Sequence, residues 1–256
     1  MPTRVELYGG SVVLTFDEAG HTYMVAIDGA EPQPCVSVTG VLKVIDKPAL
    51  PRWAAKEATD YIARSLKPGE ALDEIQIANL CKEAKAAPWK KASDAADIGS
   101  LVHKFAEEWA LGQRPEMPVH PLARQCAEQF LQWWENHHVE VIAAERKVYH
   151  RGRNYAGTVD LIANVNGRRV IADFKTSTGI WPEYRLQLAA YASAYQYETG
   201  WFAEERVCLR FGKDGAFEAA TYGGGWFDDQ LAFEAALDLY RWQESTKQPR
   251  KGRRAA

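Results

Sequence analysis

The chain reads as an α/β protein: a central mixed β-sheet flanked by helices, with a helical N-terminal region in front of it. Three observations carry this. Between residues 39 and 137 apolar side chains recur every three to four positions; from Val139 to Lys175 the period changes to two; beyond that, helical and strand patterns alternate as far as residue 244. A helix stripe and a strand face each bury their apolar side only against another element. A helical front half running into a strand-rich back half therefore predicts helices packed on a sheet.

Taken in order, Val12, Leu14 and Phe16, then Tyr23, Val25 and Ile27, alternate in strand fashion around a turn at Asp17–Gly20, which predicts a hairpin. Helical spacing follows in 39–46, 50–66, 71–87, 94–111 and 119–137, punctuated by Pro48, Pro51, Pro68, Gly69, Pro88, Gly112, Pro115 and Pro118. Strands are expected at 139–150, 155–165 and 168–175, a helix from Pro182 to about Tyr197, strands at 205–211 and 216–222, and a helix from about Asp228 to Glu244. Residues 1–137 thus form an N-terminal hairpin and helical region, 138–246 the core, and 247–256 a basic, mobile tail.

A chain of 256 residues, 46% hydrophobic and 25% charged, buries a sizeable core without disulfides. Cys35, Cys81, Cys126 and Cys208 are far apart and include no C-x-x-C pair, so buried reduced thiols are expected, with no zinc finger and no iron–sulfur cluster. No apolar run approaches the roughly 18 residues of a membrane helix, and Met1–Gly10 contains Glu6 and no hydrophobic block. A soluble, cytoplasmic protein without a membrane partner is the expectation. No G-x-x-x-x-G-K-[ST] segment is present, so no nucleotide cofactor is expected. The formal charge is -3, and setting aside the five basic residues of Lys247–Arg254 leaves residues 1–246 at -8. Such a balance argues against coating nucleic acid through the overall field, and leaves room for a local basic groove.

The chemistry is concentrated in the strands. Asn166-Gly167 between two β-rich runs is a type I′ hairpin signal, because both central residues of that turn take positive φ. A two-residue loop pairs Val165 with Arg168, and counting back sets Asp160 opposite Asp173. Lys175, two residues on, shares the face of Asp173, while Val170, Ala172 and Phe174 point to the other. A symmetrical turn around Gly152-Arg153 would bring Glu145 opposite Asp160, completing a row of three carboxylates with Cβ atoms about 5 Å apart. A β-bulge would shift the row by one residue. Carboxylates that close raise each other's pKa, and a divalent cation between them relieves the conflict.

These residues resemble a known family. Gly157-Thr-Val-Asp160, followed after twelve residues by Asp173-Phe-Lys175, resembles the PD-(D/E)XK nuclease pattern, with Thr-Val where that pattern has Pro before the first acid. Gly99-Ser-Leu-Val-His103 and Gln187-Leu-Ala-Ala-Tyr191 are similar to motifs of its RecB-type branch. Ser37-Val-Thr39-Gly-Val-Leu42 with Leu50-Pro-Arg-Trp53 resembles the mitochondrial genome maintenance exonuclease group and its phage and bacterial relatives. The resemblance runs from about Cys35 to Tyr197 and implies a restriction-endonuclease-like core. It implies His103, Asp160, Asp173 and the main-chain carbonyl of Phe174 as ligands of Mg²⁺ or Mn²⁺, with Glu145 touching a metal directly or through water. Imidazole beside carboxylates suits Mn²⁺ better than Mg²⁺. Read without the family, His103 is equally a hydrogen-bonded structural histidine at the edge of the stripe Ile98, Val102, Phe105, Trp109.

The implied activity is metal-dependent hydrolysis of DNA phosphodiesters, as an exonuclease on free, single-stranded ends in replication, recombination or repair, with any unwinding left to a helicase or recombination partner. Lys175 either orients the attacking water, takes its proton, or sets a positive charge on the phosphate; Gln187 bonds Lys175, the water or a phosphate; Tyr191 stacks on a base or contacts the backbone. Arg146, Lys147, Arg151 and Arg153, with His150, form a basic cluster beside the acidic row and are candidate phosphate contacts, as are Ser37 and Thr39. Trp181, just before the Gln187 helix, is the candidate for base stacking. The alternatives are a structure- or sequence-specific endonuclease and a noncatalytic DNA-binding subunit on a nuclease fold.

Overall fold

The computed structural model describes residues 2–69, 71–223 and 226–247; of the expected basic tail only Lys247 falls within the described residues. The strands are β1 (Thr3–Leu7), β2 (Val12–Asp17), β3 (Thr22–Ile27), β4 (Gln33–Ser37), β5 (Val139–His150), β6 (Tyr155–Val165), β7 (Arg168–Lys175), β8 (Glu205–Phe211) and β9 (Phe217–Tyr222). The helices are α1 (Val38–Val41), α2 (Ala49–Ser65), α3 (Glu74–Ala110), α4 (Pro121–Glu135), α5 (Glu183–Thr199) and α6 (Trp226–Thr246).

Nine strands make one mixed sheet in the order β1-β2-β3-β4-β6-β7-β8-β9, with β5 also paired to β6. β4 runs parallel to β6 and β7 parallel to β8; the other pairs are antiparallel. The β6–β7 turn forms as the sequence predicts, with Asn166 at φ 51° and Gly167 at φ 81°, and its register runs from Val165↔Arg168 to Leu161↔Ala172. In the β5–β6 hairpin Arg146 pairs with Val159 and His150 with Tyr155; a bulge falls at Ile142, beyond Glu145, and leaves the register near Glu145 intact.

One sheet face, carrying Val159, Ile162, Ile171 and Cys208, is covered by Leu188 and Ala194 of α5 and Phe233 and Leu237 of α6. The other, carrying Leu161, Ala172, Phe174 and Leu209, is covered by Ile98, Val102 and Phe105 of α3 and Phe130 of α4. Burying side chains of this size stabilises by about 1.5–3 kcal/mol each, so the sheet positions its polar residues rigidly. The first three strands hold a smaller cluster of Leu7, Val12, Leu14, Tyr23 and Val25 against Tyr149 and Ala156.

The structure departs from expectation in four places. Residues 71–87 and 94–111 are not two helices: α3 is continuous through Pro88. A proline loses one helical hydrogen bond and crowds the carbonyl four residues earlier. Here that residue is Ala84, buried with Pro88, and the alanines around them favour helix strongly. α2 packs on this half of α3, tied by Tyr61–Glu83 and Glu57–Lys91. Strand β1, in which Val5 and Leu7 alternate with Arg4 and Glu6, adds a third strand to the expected hairpin, and β4 was not expected because Gln33–Ser37 lacks an alternating apolar run. Residues 39–46 give only the single turn of α1 and a 3₁₀ turn at Leu42–Val44. Of the four thiols, Cys35, Cys126 and Cys208 are buried and Cys81 is exposed. No helix of the described residues is long and apolar enough to cross a membrane.

Candidate active site

One edge of β6 is handed from one neighbour to another. Its ladder with β4 ends at Ala156 and its ladder with β7 begins at Leu161, leaving Gly157–Asp160 in the opening between them. Side chains take over there. Asp160 Oδ2 accepts a hydrogen bond of 2.6 Å from the amide of Phe174, Thr158 and Tyr23 share one of 2.7 Å between their hydroxyls, and the Tyr191 ring lies over Gly157. Gly157 is required by that approach, since a Cβ would sit 2.4 Å from Tyr191 Cε1.

Three elements bring oxygen and nitrogen donors to the opening. One donor atom each from His103 of α3, Glu145 of β5 and Asp160 of β6 lie within 4.8 Å of one another. His103 Nδ1 is 3.5 Å from Asp160 Oδ2. Gly99, one turn earlier, lets α3 come close to the end of β7: its Cβ position is 3.2 Å from Thr176 Oγ1. Glu145 adopts φ 48°, uncommon for a non-glycine in a strand, and such outliers persist where the surroundings enforce them.

The registers on either side set Glu145 opposite Asp160 and, by continuation, Asp160 opposite Asp173, as the sequence predicts. Asp173 Oδ1 accepts 2.9 Å from Gln187 Nε2, while the Lys175 ammonium lies against Oδ2 without the geometry of a hydrogen bond. Lys175 neutralises Asp173 on their shared face, and Asp160 meets His103 and the Phe174 amide. Gln187 Nε2 also donates to the Tyr191 hydroxyl at 2.9 Å. Phe174 commits its ring to the core beside Phe130 and Phe211, so its main chain alone is available to the site.

The charges follow from this packing. Burial opposes the imidazolium of His103, but the Asp160 carboxylate outweighs it and lifts the pKa to about 9. Burial would raise Asp160, yet His103 and the Phe174 amide hold it below the usual range. Glu145 is pushed up to about 7 by burial and by Asp160. Asp173 rises to about 6, mainly through burial, with Lys175 opposing. Burial also opposes charge on Lys175, and Asp173 and Asp160 overcome it, raising its pKa above the ordinary lysine value.

The donors fit a divalent cation. Two carboxylates and an imidazole are oxygen and nitrogen ligands suited to Mn²⁺ and Mg²⁺, and the Asp173 carboxylate, ion-paired with Lys175, lies on the strand beside Asp160.

The expected DNA contacts fare unevenly. Tyr191 is only 3% exposed, so it cannot stack on a base; its ring is used against Gly157 and its hydroxyl supports Gln187. The basic cluster is not a free patch, because each member has an acidic neighbour. Arg146 binds Glu198 at 2.6 Å, Arg151 binds Asp28 at 2.8 Å, Arg153 pairs with Glu234, and Lys147 lies 3.7 Å from Glu145. His150 is buried, and that burial lowers its pKa to about 4. Ser37 caps α1 by accepting from the Gly40 amide, whereas Thr39 is exposed. Trp181 is 43% exposed in the segment joining β7 to α5. Two contributors escaped the sequence reading. The Tyr184 ring centroid is 5.0 Å from Lys175 Nζ, and the Tyr23 hydroxyl braces Thr158. Tyr184 could have been found, since it lies one turn before Gln187 on the same helix.

No protein-family model and no curated protein matches the chain. Among solved structures, the crystal structure of SSO0001 aligns with 79% of this chain and 88% of its own, at 15% identity and a TM-score of 0.34. A likeness this slight bears on neither fold nor function.

Proposed function

We propose that the protein is a metal-dependent deoxyribonuclease, acting as an exonuclease on free single-stranded ends. The observation that carries this reading is the convergence of His103, Glu145 and Asp160, with Asp173 and Lys175 beside them, at an opening in one edge of β6. The resemblance of the Gly157–Asp160, Asp173–Lys175 and Gln187–Tyr191 segments to RecB-type nucleases supports it.

His103, Glu145, Asp160 and Asp173 would hold Mg²⁺ or Mn²⁺, which when bound stabilises charge on phosphate oxygens and acidifies water. Lys175, its pKa raised beside two carboxylates, is an ammonium at neutral pH. As a cation it would contact the scissile phosphate or orient water; base work would require a metal on Asp160 and Asp173 to depress its pKa. Tyr184 limits the swing of its side chain. Gln187 orients Asp173, and Tyr191 orients Gln187 through a buried hydrogen bond.

The test is incubation of single- and double-stranded linear DNA, labelled at either end, and of circular single-stranded DNA, with Mg²⁺, Mn²⁺ or EDTA. Progressive degradation of linear single strands with metal alone, and survival of circles, is expected. Equal cutting of circles would transfer the assignment to an endonuclease, and no cleavage with either metal would overturn the enzyme reading.

A further inference from the structure

α3 carries a second feature on the side that presents His103. Trp89 is 74% exposed on this helix, fourteen residues before His103. At 3.6 residues per turn and 1.5 Å per residue, that separation brings the two positions to within about 40° of the same side and about 21 Å apart along the axis. Lys82 and Lys85, both exposed, fall within about 40° of Trp89 in the same stripe. The opposite side buries Ala84, Ile98, Val102 and Phe105. Residues 82–91 contain four lysines against one acid, Glu83, in a chain whose first 246 residues carry -8 overall. Lys91 is engaged with Glu57 of α2, which braces this half of α3.

We propose that Trp89, with Lys82 and Lys85, is a remote contact for single-stranded nucleic acid, the indole stacking on an unpaired base and the lysines meeting phosphates. An aromatic face flanked by cations suits a single strand, because paired bases keep their faces inside the duplex stack. The 21 Å interval corresponds to about six nucleotides at stacked spacing, and to fewer when the strand is extended. That the strand leads to a hydrolytic centre rests on the nuclease reading; the contact itself is measurable by binding.

The experiment measures fluorescence anisotropy of the full chain with phosphorothioate oligonucleotides, which resist hydrolysis, in Mn²⁺. Probes are single strands of about 20 and about four nucleotides, and a blunt duplex. Trp89→Ala should weaken the long strand by about 5- to 150-fold while leaving the short strand and the duplex unchanged. Trp89→Phe, which keeps an aromatic face, should retain most of the affinity. Replacing Lys82 and Lys85 together by Ala should reduce the slope of log affinity against log salt by about 1.4. The inference is overturned if wild type binds no single strand, if Trp89→Ala binds the long strand like wild type, or if it loses long strand, short strand and duplex alike. It is also overturned if Trp89→Ala alters sedimentation mass with strand affinity unchanged, which would make Trp89 a protein contact. Hydrolysis of the unmodified long strand is scored separately. A Trp89-dependent strand bound without hydrolysis supports the contact and refutes the nuclease reading, whereas hydrolysis with Trp89-independent binding refutes the contact alone.

Discussion

Replacing Gly157 by Ala probes how the opening in β6 is built. The added methyl would lie 2.4 Å from Tyr191 Cε1 and 3.3 Å from Val38 Cγ2, whereas ordinary carbon contact begins near 3.4 Å. The Tyr191 ring must therefore retreat by about 1 Å within a densely packed interior. Overpacking of this kind costs about 1–3 kcal/mol. The ring cannot retreat alone, because its hydroxyl is bonded to Gln187 and Gln187 to Asp173; loss of one such bond adds about 1 kcal/mol. A total of about 2–4 kcal/mol lowers the melting temperature by about 4–16 °C for a chain of this size. Differential scanning calorimetry of wild type, Gly157→Ala and Gly157→Ala/Tyr191→Leu measures it, with the double variant expected to recover part of the loss by removing the opposing ring. A Gly157→Ala protein as stable as wild type would refute the close approach of α5 to β6 and, with it, the support of Asp173 through Gln187.

Two further outcomes concern charge. Lys175→Ala should reduce metal-dependent cleavage by about 100-fold or more while leaving DNA binding measurable by anisotropy, and full activity in that variant would remove Lys175 from the site. Stability should depend on pH in a direction set by the donors. His103, raised to about 9, contributes stability that is complete below about 6.5 and lost as pH rises through 9. Glu145 and Asp173, raised to about 7 and 6, ionise first in the unfolded chain, so they also make stability fall as pH rises from about 4 to 7. Asp160, held low, acts oppositely and only in acid. His150, lowered to about 4 by burial, opposes this fall between about pH 4 and 6.5, so in EDTA the melting temperature should fall most clearly between about pH 6.5 and 9. Mn²⁺ binds the deprotonated donors and should raise it most at the upper end, with protons released on binding. Scanning fluorimetry across that range, with and without Mn²⁺, checks the sign; a metal-free melting temperature that climbs toward pH 9 would contradict it.

Much of the back half was legible because its signals are local. The Asn166-Gly167 turn dictates positive φ at two positions, and the register it imposes, ending at Leu161↔Ala172, follows by counting. The faces followed from the period of two: Ala172 and Phe174 pack under α3 and α4, while Asp173 meets Gln187 of α5. The front half was harder. Pro88 looked like a helix end, but whether a proline interrupts a helix depends on what lies at the position four residues earlier and on the helix packed beside it, and neither is encoded in spacing. Tyr191 was legible as a neighbour of Gln187, whereas its burial depended on the missing side chain of Gly157 on another element. The basic run from Arg146 to Arg153 was visible in the sequence, but its acidic partners Glu198, Asp28 and Glu234 are distant along the chain.

The sequence by itself determined the mixed α/β architecture, the strand register and the identities of the ionisable residues, because turns and periodicities act over a few residues. Only the tertiary structure decided how those residues are grouped. It carried His103 of α3 to the Glu145 and Asp160 pair, bonded Gln187 of α5 to Asp173, and opened one edge of β6 between β4 and β7. Those outcomes depend on electrostatics and close packing among elements far apart in the chain, where charge pairing and the space left by a glycine act beyond the reach of strand alternation.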